Sequence, residues 1–434
     1  MAHLIRTGSL TLLVIAASIA CNRAPERILT FSGSVVGREG EIIRLQLERF
    51  QRNHPSLSVA LRATPDSADQ RHQLYVQWLN ARASDPDVLQ LDVVWTAEFA
   101  AAGWISTLDR FHPDTGAFFD STIAASRWRD ALYALPWFTD VGMLYWRTDL
   151  MPHAPRDLAE LSAFATQSQR DQQVRFGFVW QGARYEGLVT VFLEQLGAFG
   201  GSILDADGHV AVDSEPAVRA LTSMRDMIDR SGITPNAVLT WQEEQVRFAF
   251  ENGETAMMRN WPYAYPLLQD SSESRVAGKF AVAPLPGGPG GAPTAALGGS
   301  ELAINAFSEQ PDAAYQLIDY LLQPAQMIER ARVAGQLPPR PALYASADLA
   351  DALAIRPDDA RQVIERAVPR PVTPVYHELS EILQVSLHRA LTHQQDPRPA
   401  LEDAGLRCAG CWSRRNSARR HDRHHSSATT PMAA

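Results

Sequence analysis

Lysine is nearly missing from this chain. Of 40 Lys and Arg residues only Lys279 is a lysine, so a catalytic lysine or a phosphate-cradling P-loop has almost no candidate. Cysteine is scarce as well, with 3 in 434 residues. An excess of positive charge is absent: the formal net charge is -9, which argues against general nucleic-acid binding, because that rests on neutralising phosphates with Lys and Arg. No apolar run reaches the roughly 20 residues that a membrane-spanning helix needs. There is no G-x-S-x-G, H-E-x-x-H or Walker pattern, and nothing asks for a metal or a cofactor. What is present is ordinary for a soluble globular chain, 45% hydrophobic and 21% charged, long enough for two or three domains.

The first 20 residues read as a targeting segment. Arg6 supplies a positive start, and residues 9–20 form an apolar stretch too short to cross a bilayer. Small residues then lead to Cys21, an arrangement that resembles a bacterial lipoprotein signal. The resemblance implies lipidation of Cys21 as the mature N-terminus, with plain cleavage nearby as the rival, and residues 21–27 as a tether. Either way an exported protein is expected, periplasmic or held at the cell surface. Cys408 and Cys411 form a C-x-x-C without the strand-turn-helix setting of a redox motif. Between residues 404 and 434 six Arg stand against one Asp, and the apolar periodicity stops at Leu406, so a disordered basic tail is expected over 406–434.

Between these ends, strand and helix patterns alternate. Residues 28–32 read as a strand and 40–53 as a helix whose apolar face is Ile42, Ile43, Leu45, Leu47 and Phe50. Leu57, Val59 and Leu61 alternate as a second strand, 68–83 follow as a helix, and 88–94 as a third strand. Strand-like 176–180, 254–259 and 280–284 are interleaved with helical 184–199, 214–231 and 241–251, and 311–322 and 324–334 are helical again. The alternation predicts βαβ units, mostly parallel sheets and two α/β lobes joined by several crossings. A ligand would sit in the cleft between them.

Residues 131–148 (Ala-Leu-Tyr-Ala-Leu-Pro-Trp-Phe-Thr-Asp-Val-Gly-Met-Leu-Tyr-Trp-Arg-Thr) set aromatic planes and one acidic side chain at a turn between two apolar runs. Sugars are held that way: C–H faces stack on rings while hydroxyls donate to a carboxylate. The segment is one of six that occur in a set order. They are Ser84–Val88 through Leu91–Trp95, the 135–148 crossover, Tyr185–Gly201, Gly253–Met257 through Asn260–Tyr263, Pro284–Gly287 with Leu297–Gly299, and Arg370–Pro374. Together, over residues 28–405, they resemble the family-1 extracellular solute-binding proteins of ABC sugar importers, especially trehalose/maltose-type members. The resemblance implies a two-lobed, type II periplasmic-binding-protein-like α/β fold. One lobe would comprise 28–140 and 297–340, the other 141–296 and 341–405. It also implies a monomer that presents a di- or oligosaccharide to membrane permease subunits.

Candidate ligand contacts follow from both readings. Trp261 comes after a strand and before Pro262, so its ring should project from a loop and offer a stacking face; Tyr263 is close by. Asp140 ends an apolar run, where it would accept from hydroxyls or cap a turn. Phe138 shares its side of the extended segment, while Trp137 points the other way. Asp92 closes a strand, a costly place for a charge unless it meets a partner or a cleft. Glu39 sits before the first helix, where it also suits the helix dipole. Arg71 and Arg370 match cationic positions of the family and donate without accepting. Gly299 belongs to the matched Gly-Gly pair, after which the family usually places Trp and this chain has Ser300. Glu39, Asp92 and Asp140 could alternatively serve an exported glycoside hydrolase, whose chemistry needs two carboxylates at defined separation. The motif order favours binding without catalysis.

Overall fold

A computed structural model describes the backbone of residues 28–289 and 291–426, with side chains described to residue 413. The expected leader and Cys21, the expected lipidation site, lie outside the described residues. Among the described residues eleven strands run in chain order: β1 Ile28–Gly33, β2 Ser58–Ala63, β3 Val88–Asp92, β4 Arg127–Trp128, β5 Ala131–Leu132, β6 Ala134–Val141, β7 Met143–Arg147, β8 Phe176–Val179, β9 Thr255–Asn260, β10 Phe280–Pro284 and β11 Leu297–Ile304. One sheet has the order β2-β1-β3-β11-β6, a second β10-β7-β9-β8, and β4 and β5 form a small hairpin. Helices flank both sheets, which gives the two-lobed α/β architecture.

The elements form where local chemistry favours them. Helix Glu39–Asn53 buries Ile42, Ile43, Leu47 and Phe50 along one face and carries Glu39 and Glu41 in its first turn, where acidic groups complement the dipole. Its buried face meets Leu29 and Phe31 of β1 and Leu302 and Ile304 of β11 in one apolar cluster. Helices Pro311–Leu321 and Pro324–Ala334 both open on proline, whose missing N–H costs nothing there. Gly335 ends the second in the left-handed region at φ 71°.

The sheets are mixed rather than mostly parallel, a correction to the expectation above. β1 pairs in parallel with β2 and β3, and β8 with β9. But β11 runs antiparallel to both β3 and β6, and β7 antiparallel to both β9 and β10. The cause is the weave between lobes. A strand that arrives from the other lobe enters its sheet without a βαβ crossover, so nothing imposes the parallel sense.

The first passage between sheets takes one residue, Gly142, between β6 and β7. A Cβ there would collide with Glu194 Oε1 and lie 2.7 Å from Arg259 Nη2. Glycine is therefore what lets the chain cross directly over the buried Glu194–Arg259 pair.

The expected tail is also corrected. Helix Pro397–Ser426 runs through the region read as disordered from residue 406. Leu401, Ala404, Cys408 and Cys411 are buried at helical spacing in the second lobe's core. The cysteines act as small apolar side chains; no disulfide joins them. Among the described residues no helix is long and apolar enough to cross a membrane.

Candidate ligand-binding cleft

The cleft is built on the edge where β3, β11 and β6 end together. The register sets Ser300 opposite Asp92 on one side and Phe138 on the other, and Gly298 opposite Asp140. Glu39 at the start of helix Glu39–Asn53 and Arg71 on helix Ala68–Asn80 complete the first lobe's wall. The second lobe contributes Glu186 and Glu243, each opening a helix, together with Trp261 and Tyr263 just beyond β9. Arg370 enters from the segment before helix Tyr376–Leu391. The cavity is about 230 Å³.

All nine residues nominated from the sequence line this one cavity: Glu39, Arg71, Asp92, Phe138, Asp140, Trp261, Tyr263, Gly299 and Arg370. Trp261 is stacked on its far side by Arg259, whose guanidinium carbon lies 3.8 Å from the ring centroid, and its Nε1 donates to Glu243 Oε1 at 3.4 Å. Tyr263 is pinned, its hydroxyl donating to Glu244 at 2.6 Å. Gly299 has φ 114°, and a Cβ there would run into the Phe138 carbonyl oxygen, so only glycine fits. Trp137 points away into the core, as its place in the strand suggested, with Arg330 stacked at 3.7 Å from its ring centroid.

The lobes touch across the cleft. Gly37, at φ 55°, leaves room for Tyr263: a Cβ there would lie 3.1 Å from the ring. Arg38 Nη2 reaches Asp270 Oδ2 across the mouth at 3.3 Å. Deeper in, Arg370 donates to Asp92 Oδ1 at 2.9 Å and to Glu186 Oε1 at 2.7 Å, tying the first sheet to the second lobe's helix. Tyr376 and Ser380 also donate to Glu186.

The electrostatics are dominated by buried acid. Burial, with the nearby charges of Glu39 and Asp92, pushes the Asp140 carboxyl up to about 8. Burial likewise raises Glu39, against the pull of Arg330. Asp140 lies within β6 with Oδ1 shut off from solvent and unpartnered, so the turn-capping role does not apply. Glu39 Oε1 accepts from Gln336 Nε2 at 2.7 Å, but its Oε2 is unpartnered. Arg71 Nε and Arg370 Nε are unpartnered donors. Buried polar atoms are rarely left unpaired in a finished structure. Here two carboxyl oxygens, two guanidinium nitrogens and the Tyr185 hydroxyl remain without a protein partner on residues that line one cavity with Trp261.

Sequence reasoning passed over Glu186, Glu243, Glu244 and Gln90, which also line the cleft. Glu186, Glu243 and Glu244 open helices, where acid is routine and carries no sign of a site. Gln90 lies mid-strand in an apolar run, where a polar residue between Leu89 and Leu91 was the available signal.

A two-lobed fold around a polar, aromatic-walled cleft defines a binding protein of the solute-capturing kind. A profile described as "Bacterial extracellular solute-binding protein" matches residues 38–328, and the chain belongs to that family. It is similar to a Deinococcus radiodurans protein described as "Probable ABC transporter-binding protein", 35% identical over 401 residues, covering 89% of this chain and 94% of the relative. Among solved structures it is similar to the maltose-bound MalE3 of T. maritima, at 42% identity and TM-score 0.84, covering 88% of this chain and 98% of that one. The acarbose receptor GacH of Streptomyces glaucescens shares the fold, at 24% identity and TM-score 0.80, covering 88% and 98%. These relatives and neighbours are solute-binding proteins rather than enzymes.

Proposed function

We propose that this protein is the sugar-capturing component of an ABC importer, holding a di- or oligosaccharide of the maltose/trehalose kind between its lobes. The observation that carries the reading is the set of buried polar atoms without a protein partner on residues that line one cavity with Trp261: carboxyl oxygens of Glu39 and Asp140, the Tyr185 hydroxyl, and donors on Arg71 and Arg370. A sugar offers hydroxyls that both donate and accept, and a C–H face for the ring. The maltose bound in the T. maritima neighbour supports the same class. In this reading Glu39, Arg71, Asp92, Phe138, Asp140, Trp261, Tyr263, Gly299 and Arg370 form the site. The closed protein presents the sugar to membrane permease subunits, as a monomer tethered through lipidated Cys21 after export. Ligand favours closure only by its higher affinity for the closed state.

The test is a tryptophan-fluorescence titration with maltose, trehalose, sucrose and longer glucans. A saturable response to one of them, with no sugar consumed on prolonged incubation, is the expected result. Trp261→Ala should weaken that binding by about 2–3 kcal/mol through lost stacking and burial. An unchanged titration in a variant that keeps its circular dichroism would remove Trp261 from the site.

A further inference from the structure

We propose that Gln336, which stands behind the cavity wall, is a positioning residue for the ligand: it holds one oxygen of Glu39 and so keeps the other as an acceptor for a sugar hydroxyl. The proposal rests on the cleft being the sugar site and adds to it how that acceptor is maintained.

Gln336 lies in a short strap, residues 335–337, just after helix Pro324–Ala334. Both of its neighbours are anchored. Gly335 passes so close to the second lobe that a Cβ there would lie 2.5 Å from the Pro262 carbonyl oxygen, next to Trp261. Leu337 bridges to Thr139 of β6, whose backbone N–H donates to the Leu337 carbonyl at 2.8 Å. Between these anchors Gln336 is 1% exposed, and its amide joins two side chains. Arg330 Nη2 meets the amide oxygen, and the amide nitrogen meets Glu39 Oε1 at 2.7 Å. Only one orientation of the amide satisfies both contacts. A guanidinium donates and never accepts, so the end facing Arg330 is the oxygen. The end facing Glu39 is then the NH2 group, which can only donate. Glu39 Oε1 therefore accepts, and Oε2 is the oxygen left without a protein partner on a residue that lines the cavity.

An acceptor at Oε2 calls for the ionised carboxylate, and burial works against it. Asp140 on β6 adds like charge from across the cavity. Four groups favour ionisation instead: Arg330 on helix Pro324–Ala334, Arg71 on helix Ala68–Asn80, Ser34 after β1, and Gln336. Arg330 does not act by contact. It is 1% exposed and stacked against Trp137 and Phe138, and among the described residues it makes no ion pair. The Gln336 amide is what connects this buried cation to Glu39. A hydrogen bond donated to the charged form of a carboxyl favours that form. Removing the amide should therefore let Glu39 keep its proton to higher pH and lose its acceptor there.

The experiment takes the sugar of the panel that the wild-type protein binds most tightly and measures its affinity across the pH range in which all samples stay folded, for wild type, Gln336→Met, Glu39→Gln and the double variant. Gln336→Met keeps the length of the side chain and removes both amide contacts. Its affinity relative to wild type should be lowest at the acid end, by about 10-fold for each pH unit that the Glu39 titration moves up, and should recover as pH rises. Glu39→Gln cannot ionise. Wild type should gain on it as pH rises, to about 10-fold, the span of one hydrogen bond to a charged group. In the Glu39→Gln background Gln336→Met should add no pH-dependent loss. A Gln336→Met loss that is equal at every pH, or that keeps its pH dependence without Glu39, overturns the proposal, since packing alone would produce the first and another group the second. Unchanged or tighter binding in Gln336→Met overturns it too. Parallel pH profiles for wild type and Glu39→Gln overturn it even if Gln336→Met does not fold, because Glu39 would then not be the titrating acceptor. A wild-type protein silent to every sugar overturns the sugar reading, and this proposal with it.

Discussion

Arg259→Ala should cost about 3–5 kcal/mol of folding stability, the range for leaving one member of a buried ion pair alone. Arg259 is 1% exposed. Its Nε and Nη2 donate to the two oxygens of Glu194 at 2.8 and 2.6 Å, and its Nη1 to Gln181 Oε1 at 3.3 Å. Glu194 holds a second lobe-crossing segment as well, accepting from the backbone N–H of Ala296 at 3.3 Å just before β11. Without the arginine the carboxylate has no charge partner in a site closed to water. Chemical denaturation with an unchanged m-value is the measurement, so that a lower midpoint reports stability alone. The double variant Arg259→Met/Glu194→Met should recover most of the loss, because replacing both charges with apolar groups of similar volume removes the desolvation cost with the attraction. A single-variant loss below about 1 kcal/mol would mean that the pair stays solvated, as surface pairs do. Trp261 also loses its backing in Arg259→Ala, so ligand affinity should fall along with stability.

The sequence spoke most clearly where periodicity and punctuation agree. Helix Glu39–Asn53, helix Glu186–Ala198, strand Phe176–Val179 and the paired helices after residue 310 fall within a residue or two of their expected bounds. Each has an apolar stripe or run bounded by glycine or proline. Strand sense was not legible, since pattern tells which residues face the core and not which way a neighbour runs. The tail was misread because Cys408 and Cys411 were weighed as a C-x-x-C motif rather than as apolar side chains. Counted as apolar, they extend the Leu401, Ala404 stripe by two more turns. The cleft residues were recovered through motif order, which places distant segments together without a geometry. What motif order could not supply is the wiring. Arg370 is engaged by Asp92 and Glu186, Tyr263 by Glu244, and Gln90 connects Ser34 to Ser300. Such bonds join residues up to 278 positions apart, and no local pattern announces them.

Beside the cleft, the neighbour of Ser300 supports a second large effect, in stability against pH. The pairing of β11 with β6 slips between Ser300 and Glu301, and while Ser300 lines the cleft, Glu301 is sealed in the first lobe at 0% exposed. Thr96 and Ser126 donate to its two oxygens at 2.5 and 2.7 Å, and among the described residues no cation is paired with it. Burial pushes its carboxyl up to about 8, further than those two hydrogen bonds pull it down. In the unfolded chain a glutamate titrates near 4.3. Between these values the folded state holds the Glu301 proton more often than the unfolded state, so this group's contribution to stability falls as pH rises from about 4.5 to about 8 and levels off above. Glu301→Gln keeps an acceptor for one hydroxyl and offers a donor to the other, which can rotate to accept, but it cannot ionise. The variant should therefore match wild type near pH 4 and gain on it steadily, by a few kcal/mol at pH 8, at about 1.4 kcal/mol for each unit of difference between folded and unfolded titration. Asp140 titrates in both proteins and cancels in the comparison. Denaturant midpoints taken every half pH unit would trace the two curves. If they run parallel, the glutamate is ionised in the fold and draws its stabilisation from the Thr96 and Ser126 hydroxyls. If they diverge, the lobe carries a neutral acid beneath the cleft, and its ionisation costs the fold stability as pH rises.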